Sequence, residues 1–151
     1  MASYDSVSQN TQDFFSSYRV SNSTGVPLTA TGNAIVTLPI LGGGLTATTG
    51  QFILRRITIS NPSNTAGGTV PNCAACNVSI TTSNDGNASN AVAAAQTIAN
   101  VTGQYKYQDL TLAASTLTTA QTANALFLNI GAGAVANGSV TVSIFGDVVQ
   151  F

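Results

Sequence analysis

Histidine, glutamate and tryptophan are absent from the 151-residue chain, and charged residues make up only 6% of it. Soluble domains usually carry about 25% charged residues. Without histidine, the side chain that most often serves as a general base is missing. The acids are five aspartates, dispersed at positions 5, 13, 85, 109 and 147. We therefore expect no enzyme, no catalytic residue, no metal site and no cofactor.

Basic residues are also scarce, since four of them stand against five acids. Lysine and arginine supply most of the affinity for phosphate backbones, so this balance argues against a nucleic-acid partner. No run of about 18 apolar residues is present, which argues against a membrane span. The first ten residues, MASYDSVSQN, lack the basic region and apolar core of a secretory signal. We expect synthesis in a cytosol, where thiols stay reduced.

Glutamate is absent, lysine occurs once and glutamine-rich stretches are missing, which argues against long helices. The residues that dominate instead favour an all-β fold. Threonine, valine and isoleucine suit strands, whereas glycine, asparagine and serine suit turns. Strand-like segments recur at short intervals between turn clusters. They lie at residues 33–41, 51–60, 76–82, 96–101, 104–114, 124–131 and 138–151, and an alanine-rich stretch at 88–95 is compatible with one short helix. About eight strands without heptads predict a single antiparallel β-sandwich domain.

The expected division of the chain is an N-terminal arm at residues 1–19 followed by the β-sandwich domain at 20–151. The arm contains the aromatic segment DFFSSYRV at residues 13–20. These aromatic side chains either pack on their own domain or anchor the arm to a partner, because terminal segments fray unless they are held.

Two adjacent arginines, Arg55 and Arg56, interrupt a strand pattern. Neighbouring residues on a strand point to opposite faces, and Arg55 is in phase with the apolar Ile53 and Ile57. An unpaired buried arginine is too costly to be stable. Either a β-bulge shifts the phase, or that face meets another chain on which Arg55 is paired.

Cys73 and Cys76 are the only cysteines and have C-x-x-C spacing. A structural zinc site takes four ligands, which two cysteines and no histidine do not provide. A redox C-x-x-C is typical of a helix N-terminus, whereas this pair precedes a strand. Cys76 shares a face with Val78 and Ile80 and reads as a core residue, with Cys73 in the preceding loop. Three alternatives remain open for the two cysteines: inert thiols, a local disulfide through a turn at residues 74–75, and an inter-chain bridge or metal site.

Four segments resemble the jelly-roll cement, or decoration, proteins of tailed bacteriophage heads. They are FILRRITISNPS (52–63), YQDLTLA (107–113), ALFLNIGAGA (125–134) and VTVSIFGDVV (140–149). They occur in the same order as in those proteins and extend over most of residues 33–151. The resemblance implies a jelly-roll homotrimer on the exterior of an icosahedral head, assembled in the host cytoplasm, whose partner is the major capsid protein.

The resemblance implies specific contacts. We expect Phe14, Phe15, Tyr18 and Arg19 of the arm to anchor the protein to the capsid. Arg55 or Arg56 is expected to make a polar contact between subunits. 

A rival hypothesis is a carbohydrate-binding or adhesin-like β-sandwich. Sugar sites usually present exposed aromatic side chains together with acids or amides. Tyr105 and Tyr107 are the best candidates for that role in this chain.

Overall fold

A computed structural model describes residues 18–29, 34–39, 50–122 and 125–150. These residues form two antiparallel four-stranded sheets, which confirms the all-β prediction. In chain order the strands are β1 (Tyr18–Pro27), β2 (Ala34–Pro39), β3 (Gly50–Asn64), β4 (Asn77–Thr81), β5 (Ala91–Thr97), β6 (Tyr107–Asp109), β7 (Ala125–Ala132) and β8 (Gly138–Gln150). Two short 3₁₀ helices, Ala88–Asn90 and Ala114–Leu117, lie in the connections. In the described part of the chain, no helix has the length and apolar character needed to cross a membrane.

The strand order is β1-β8-β3-β6 in the first sheet and β2-β7-β4-β5 in the second. The longest ladder joins β3 to β8, from Gly50 opposite Gln150 to Asn64 opposite Gly138. Neighbouring strands in each sheet are therefore mostly far apart in sequence, and the two ends of the described chain lie side by side in the first sheet.

The core is built by alternate residues of strands from both sheets, as the period of two in side-chain direction requires. In the segment 138–151, for instance, the alternate residues Val140, Val142 and Ile144 are all buried. Buried side chains of the two sheets form one hydrophobic cluster. Burying each valine, leucine or isoleucine stabilises the fold by about 1.5–3 kcal/mol relative to exposure. The largest buried side chains include Leu54, Ile57, Ile59, Ile80, Leu126, Leu128 and Ile130.

The edge strands β5 and β6 are each protected from further strand pairing. β6 has only three residues. β5 is covered by the segment that follows β6: Ala113 donates its backbone N–H to the Val92 carbonyl at 2.9 Å, and the Gln96 side chain exchanges two hydrogen bonds with the Thr111 backbone. Short and covered edges limit unspecific pairing with other chains.

The alanine-rich stretch at 88–95 does not form the short helix considered from the sequence, apart from one turn at its start. A 3₁₀ turn at Ala88–Asn90 leads directly into β5, where Val92 and Ala93 are buried beside β4. Packing against the sheet outweighs the helix propensity of alanine, which is a weak preference. The strand expected at 96–101 ends at Thr97, and the one expected at 104–114 is limited to Tyr107–Asp109.

Strand β1 was not predicted from the sequence. Its pairing with β8 is broken by register shifts between Arg19 and Ser21 and between Ser23 and Val26. These irregularities remove the alternation of apolar and polar residues by which a strand is recognised. The strand begins at Tyr18, so the last two residues of the predicted arm pair with β8 through their backbones.

Candidate functional site

The two cysteines lie in a tight turn that enters β4. Cys76 donates its backbone N–H to the Cys73 carbonyl at 2.9 Å, and the Asn72 side chain accepts the backbone N–H of Ala74 at 2.9 Å. Both thiols are free and buried. The core position expected for Cys76 is confirmed. Cys73 lies in the preceding loop as predicted, yet its side chain also belongs to the core.

Burial controls the chemistry of these thiols. Desolvation raises the pKa of Cys73, and desolvation together with the neighbouring Cys73 raises the pKa of Cys76 to about 11. The thiolate is the form that attacks electrophiles and binds metals. Raised pKa values keep both groups protonated near neutral pH, so the pair acts as packing rather than as a reactive centre.

A β-bulge in β3 accommodates the arginine pair, which confirms one of the two alternatives derived from the sequence. The ladder with β8 shifts register between Leu54 and Arg56, and both arginines are exposed. Leu54 before the bulge and Ile57 after it are both buried. The extra residue thus keeps apolar side chains inward on both sides of the bulge.

Arg55 is held by groups of its own chain. Its Nε donates to Oδ2 of Asp147 on β8, and its guanidinium also donates to the Leu117 carbonyl at 3.0 Å. The side chains of the ion pair are 41% and 46% exposed, so solvent screens the attraction. The ion pair links β3 to β8, and the bond to Leu117 links the 3₁₀ helix at Ala114–Leu117 to the first sheet.

Arg56 lies on the outer surface of the first sheet, opposite Phe145 of β8. Its guanidinium carbon is 4.3 Å from the centroid of the Phe145 ring, a cation–π contact. A depression of about 250 Å³ adjoins this contact and is lined by residues of β3, β6 and β8. We call this surface the arginine face; it consists of Arg56, Thr58, Tyr107, Asp109, Ser143 and Phe145.

Hydrogen bonds between strands order the arginine face. Thr58 donates its hydroxyl to Oδ1 of Asp109 on β6. Ser143 donates its hydroxyl to the side-chain oxygen of Asn22 on β1 at 2.9 Å. Together with the Arg56–Phe145 contact, these two bonds connect side chains across all four strands of the sheet.

A second depression, the tyrosine groove, is lined by residues between 99 and 109 and has a volume of about 580 Å³. Tyr105 is 83% exposed and Tyr107 is 62% exposed. Tyr107 and Asp109 line both the groove and the arginine face, so the two depressions are neighbours on the surface. The groove brings together the two tyrosines that the sequence singled out for a sugar site.

Asp85 lies in the polar turn SNDGN (83–87), which follows β4. Its Oδ1 accepts hydrogen bonds from the Ser83 hydroxyl and from the Asn87 backbone N–H at 2.9 Å. These bonds, led by the Ser83 hydroxyl, lower the pKa of the Asp85 carboxyl. Within the described ranges, no group of three or more histidine, cysteine or acidic side chains is arranged to hold a metal ion.

The residues predicted to anchor the capsid are only partly described. Phe14 and Phe15 lie outside the described residues. Tyr18 and Arg19 belong to β1, where their backbones pair with Gly146 and Phe145 of β8. Their anchoring role stays a prediction.

Sequence reasoning missed the roles of Phe145 and Asp109 in the arginine face. Arg56 meets Phe145 only because the bulge at Arg55 sets the register between β3 and β8. The sequence offered a bulge at Arg55 as one of two alternatives, but the strand partner opposite Arg56 cannot be read from a single sequence. The one available signal was the odd phase of Arg55 along its strand.

Comparisons of the chain with protein-family models, curated proteins and solved structures found no match. The case for a function therefore depends on the residues of this chain.

Proposed function

We propose that the protein is a structural virion protein, a cement or decoration protein that forms homotrimers on the exterior of an icosahedral phage head. It stabilises contacts between major capsid proteins. Three observations support this proposal: the resemblance of four strand segments, the pairing of the strands and the distribution of charge.

The observation that carries the proposal is the order in which the strands pair. β1 pairs with β8, β2 with β7, β3 with β6 and β4 with β5. The strands of the first half of the chain thus pair with those of the second half in reverse order. The four strand pairs are divided between the two sheets. Such pairing supports a jelly-roll sandwich, an arrangement common in viral capsid proteins and also found in lectins.

The distribution of charge supports close packing against other chains. The strands of the second sheet (β2, β4, β5 and β7) contain no charged residue, whereas the first sheet has arginines on β1 and β3 and aspartates on β6 and β8. The centre of a protein interface is usually depleted in charged residues, because desolvating an unpaired charge is costly. We assign the outer face of the second sheet, on which Ser79 lies, to packing against the capsid lattice.

The first sheet provides the candidate contact between subunits. Arg55 is already bound to Asp147 and Leu117 of its own chain. Arg56 is exposed and its guanidinium lies over the Phe145 ring, without an ion pair or side-chain hydrogen bond to the described residues. Of the two predicted arginines, Arg56 is therefore the better placed to meet a neighbouring subunit.

Attachment through three copies accounts for stable binding by modest contacts. Each subunit adds one arm, with Phe14, Phe15, Tyr18 and Arg19 as the proposed anchors, and one uncharged sheet face. Once one subunit is bound, the others bind at a high effective concentration, so the affinity of the trimer exceeds that of a single subunit by orders of magnitude.

Two measurements test the proposal in sequence. Light scattering of the purified full-length chain should give the mass of three subunits. The protein should then co-sediment with undecorated phage heads, and heads already saturated with unlabelled protein should bind no more and serve as the control. A monomer that does not bind undecorated heads would contradict the proposal.

A further inference from the structure

We propose that the tyrosine groove binds a neutral saccharide of one or two rings. This inference goes beyond the capsid proposal. The groove shares Tyr107 and Asp109 with the arginine face, but sugar binding involves no phage head and is tested on the isolated protein.

Tyr105 occupies a backbone position that suits glycine. Lys106 donates its N–H to the Gly103 carbonyl at 3.1 Å and closes a four-residue turn, in which Tyr105 is the third residue with φ of 64°. Positive φ at this position favours glycine or asparagine, and a bulky residue there is strained. The Tyr105 ring is almost fully exposed, so packing within the chain does not account for its presence. Strain that no internal contact offsets is characteristic of functional positions.

Two side-chain hydrogen bonds support the floor of the groove. The Gln108 side chain accepts the backbone N–H of Asn100 at 3.0 Å and donates to the Thr97 carbonyl at 2.9 Å. These two bonds tie the groove-lining segment of β6 to the turn that follows β5. The tyrosines therefore project from a fixed base, and a ligand does not have to order the loop when it binds.

The polar groups along the groove match the hydroxyls of a sugar. Asn100 has an amide side chain and Thr102 a hydroxyl that make no hydrogen bond with the described residues, so both can donate and accept. Oδ1 of Asp109 accepts a hydrogen bond from the Thr58 hydroxyl, and Oδ2 can accept one from another donor. The volume of the groove, about 580 Å³, falls within the range of about 300–1,000 Å³ that is usual for small-molecule sites.

The charge of the groove favours a neutral ligand. Lys106 and Asp109 are its only charged lining residues, and they carry opposite signs. A phosphate or another anion would need several cationic or backbone donors, as in known phosphate sites. A pyranose instead offers an apolar face of C–H groups that can pack on a tyrosine ring, and equatorial hydroxyls that the amide, hydroxyl and carboxylate groups can bind.

The test is an NMR titration of the full-length protein with four disaccharides: cellobiose, maltose, lactose and N,N′-diacetylchitobiose. We expect at least one of them to shift backbone and ring signals of residues 99–109 in a saturable way. Tyr105→Gly and Tyr107→Ala should each weaken that binding about tenfold, the loss of one ring contact. Tyr105→Phe keeps the ring and should retain binding.

Controls separate loss of binding from loss of fold. Tyr105→Gly relieves the positive φ, so its melting temperature should equal or exceed that of the parent while binding falls. If Tyr105→Gly misfolds, Tyr105→Asn is tested in its place, because asparagine tolerates the same positive φ. Leu117→Ala removes a different exposed apolar side chain and should leave binding unchanged. The proposal is overturned if none of the four disaccharides gives a saturable shift, if the shifts lie outside the groove, or if Tyr105→Gly and Tyr107→Ala bind like the parent.

Discussion

The Arg56 guanidinium lies over the Phe145 ring, with 4.3 Å between the guanidinium carbon and the ring centroid. The two residues face each other across β3 and β8 immediately after the bulge at Arg55. The bulge thus has two consequences: it returns Ile57 to the core, and it places a cation on an aromatic ring at the surface.

Removing the Arg56–Phe145 contact should destabilise the fold by a small, measurable amount. We expect Arg56→Ala to lower the free energy of unfolding by about 0.5–1 kcal/mol, the usual contribution of an exposed cation–π contact. Urea denaturation of Arg56→Ala, Phe145→Leu and the double variant forms a thermodynamic cycle that isolates the pair. A coupling energy indistinguishable from zero would show that the two groups are only neighbours.

Gly146 is expected to be intolerant of alanine. It lies opposite Leu54 on β3, and a Cβ atom there would be 2.7 Å from the Ile53 carbonyl oxygen and 3.3 Å from the Phe52 ring. A backbone oxygen in a paired strand cannot move away freely, so we expect Gly146→Ala to cost about 1–3 kcal/mol, as overpacking does. Chemical denaturation gives the value.

Gly103 provides the matched control for Gly146. A Cβ atom at Gly103 would meet no heavy atom within 4 Å. Gly103→Ala should be neutral or stabilise the fold by about 0.4–1 kcal/mol, because it restricts the unfolded chain. Equal losses for both glycines would mean that the close approach to β3 is not the cause.

The sequence predicted those features that depend on local alternation. The inward faces at Val140, Val142 and Ile144 and at Cys76, Val78 and Ile80 follow from a period of two, and all these residues are buried. β1 was not predicted because two register shifts interrupt that period. The arginine face was also not predicted, because it is formed by three strands, β3, β6 and β8. Their register depends on pairs such as Arg56 and Phe145, which are distant in sequence.

The tyrosine groove was predicted in part. Tyr105 and Tyr107 were identified as aromatic candidates by elimination, since the chain has no tryptophan. The positive φ of Tyr105 and the bonds of Gln108 to Asn100 and Thr97 could not be foreseen, because they depend on how the turn packs against the end of β5.

Stability should fall at alkaline pH through the two buried thiols. The pKa of Cys76 rises from 9.0 to about 11 in the folded chain, and that of Cys73 is also raised. Above pH 9 the unfolded chain therefore loses thiol protons that the folded chain retains, which lowers the free energy of unfolding as the pH rises. The contribution is fully present below pH 9 and is lost by about pH 11.

The check is urea denaturation of the parent and of Cys73→Ala/Cys76→Ala at a series of pH values between 8 and 11. The double variant should be less stable at neutral pH but show a smaller alkaline decline. Parallel declines in the two proteins would assign the effect to other groups. A thiol reagent should modify the native parent much more slowly than the unfolded chain, because both sulfurs are buried.

A charge placed on the outer face of the second sheet should weaken attachment to phage heads. Val78 and Ile80 are buried, so Ser79 between them points to the opposite face of β4. We expect Ser79→Lys to reduce co-sedimentation with undecorated heads while the mass in solution remains unchanged, since an uncharged contact must then desolvate an unpaired ammonium. Asn84→Lys, in the exposed turn that follows β4, adds the same charge away from this face and should bind as the parent does. If the two variants bind heads equally well, the second sheet does not face the capsid.

Deleting residues 1–17 should separate head attachment from trimer formation. β1 begins at Tyr18 and pairs with β8 from there, so this deletion keeps the first sheet intact whereas a deletion to residue 19 would remove paired backbone. We expect the truncated protein to retain its melting temperature and its mass in solution but to bind undecorated heads at least about tenfold more weakly, because each lost arm removes one of three linked attachments. The full-length variant Phe14→Ala/Phe15→Ala tests whether the aromatic side chains account for that loss, and Ser16→Ala/Ser17→Ala is its matched control. Full-affinity binding by the truncated protein would rule out the arm as an anchor and leave the sheet surfaces as the only proposed points of attachment.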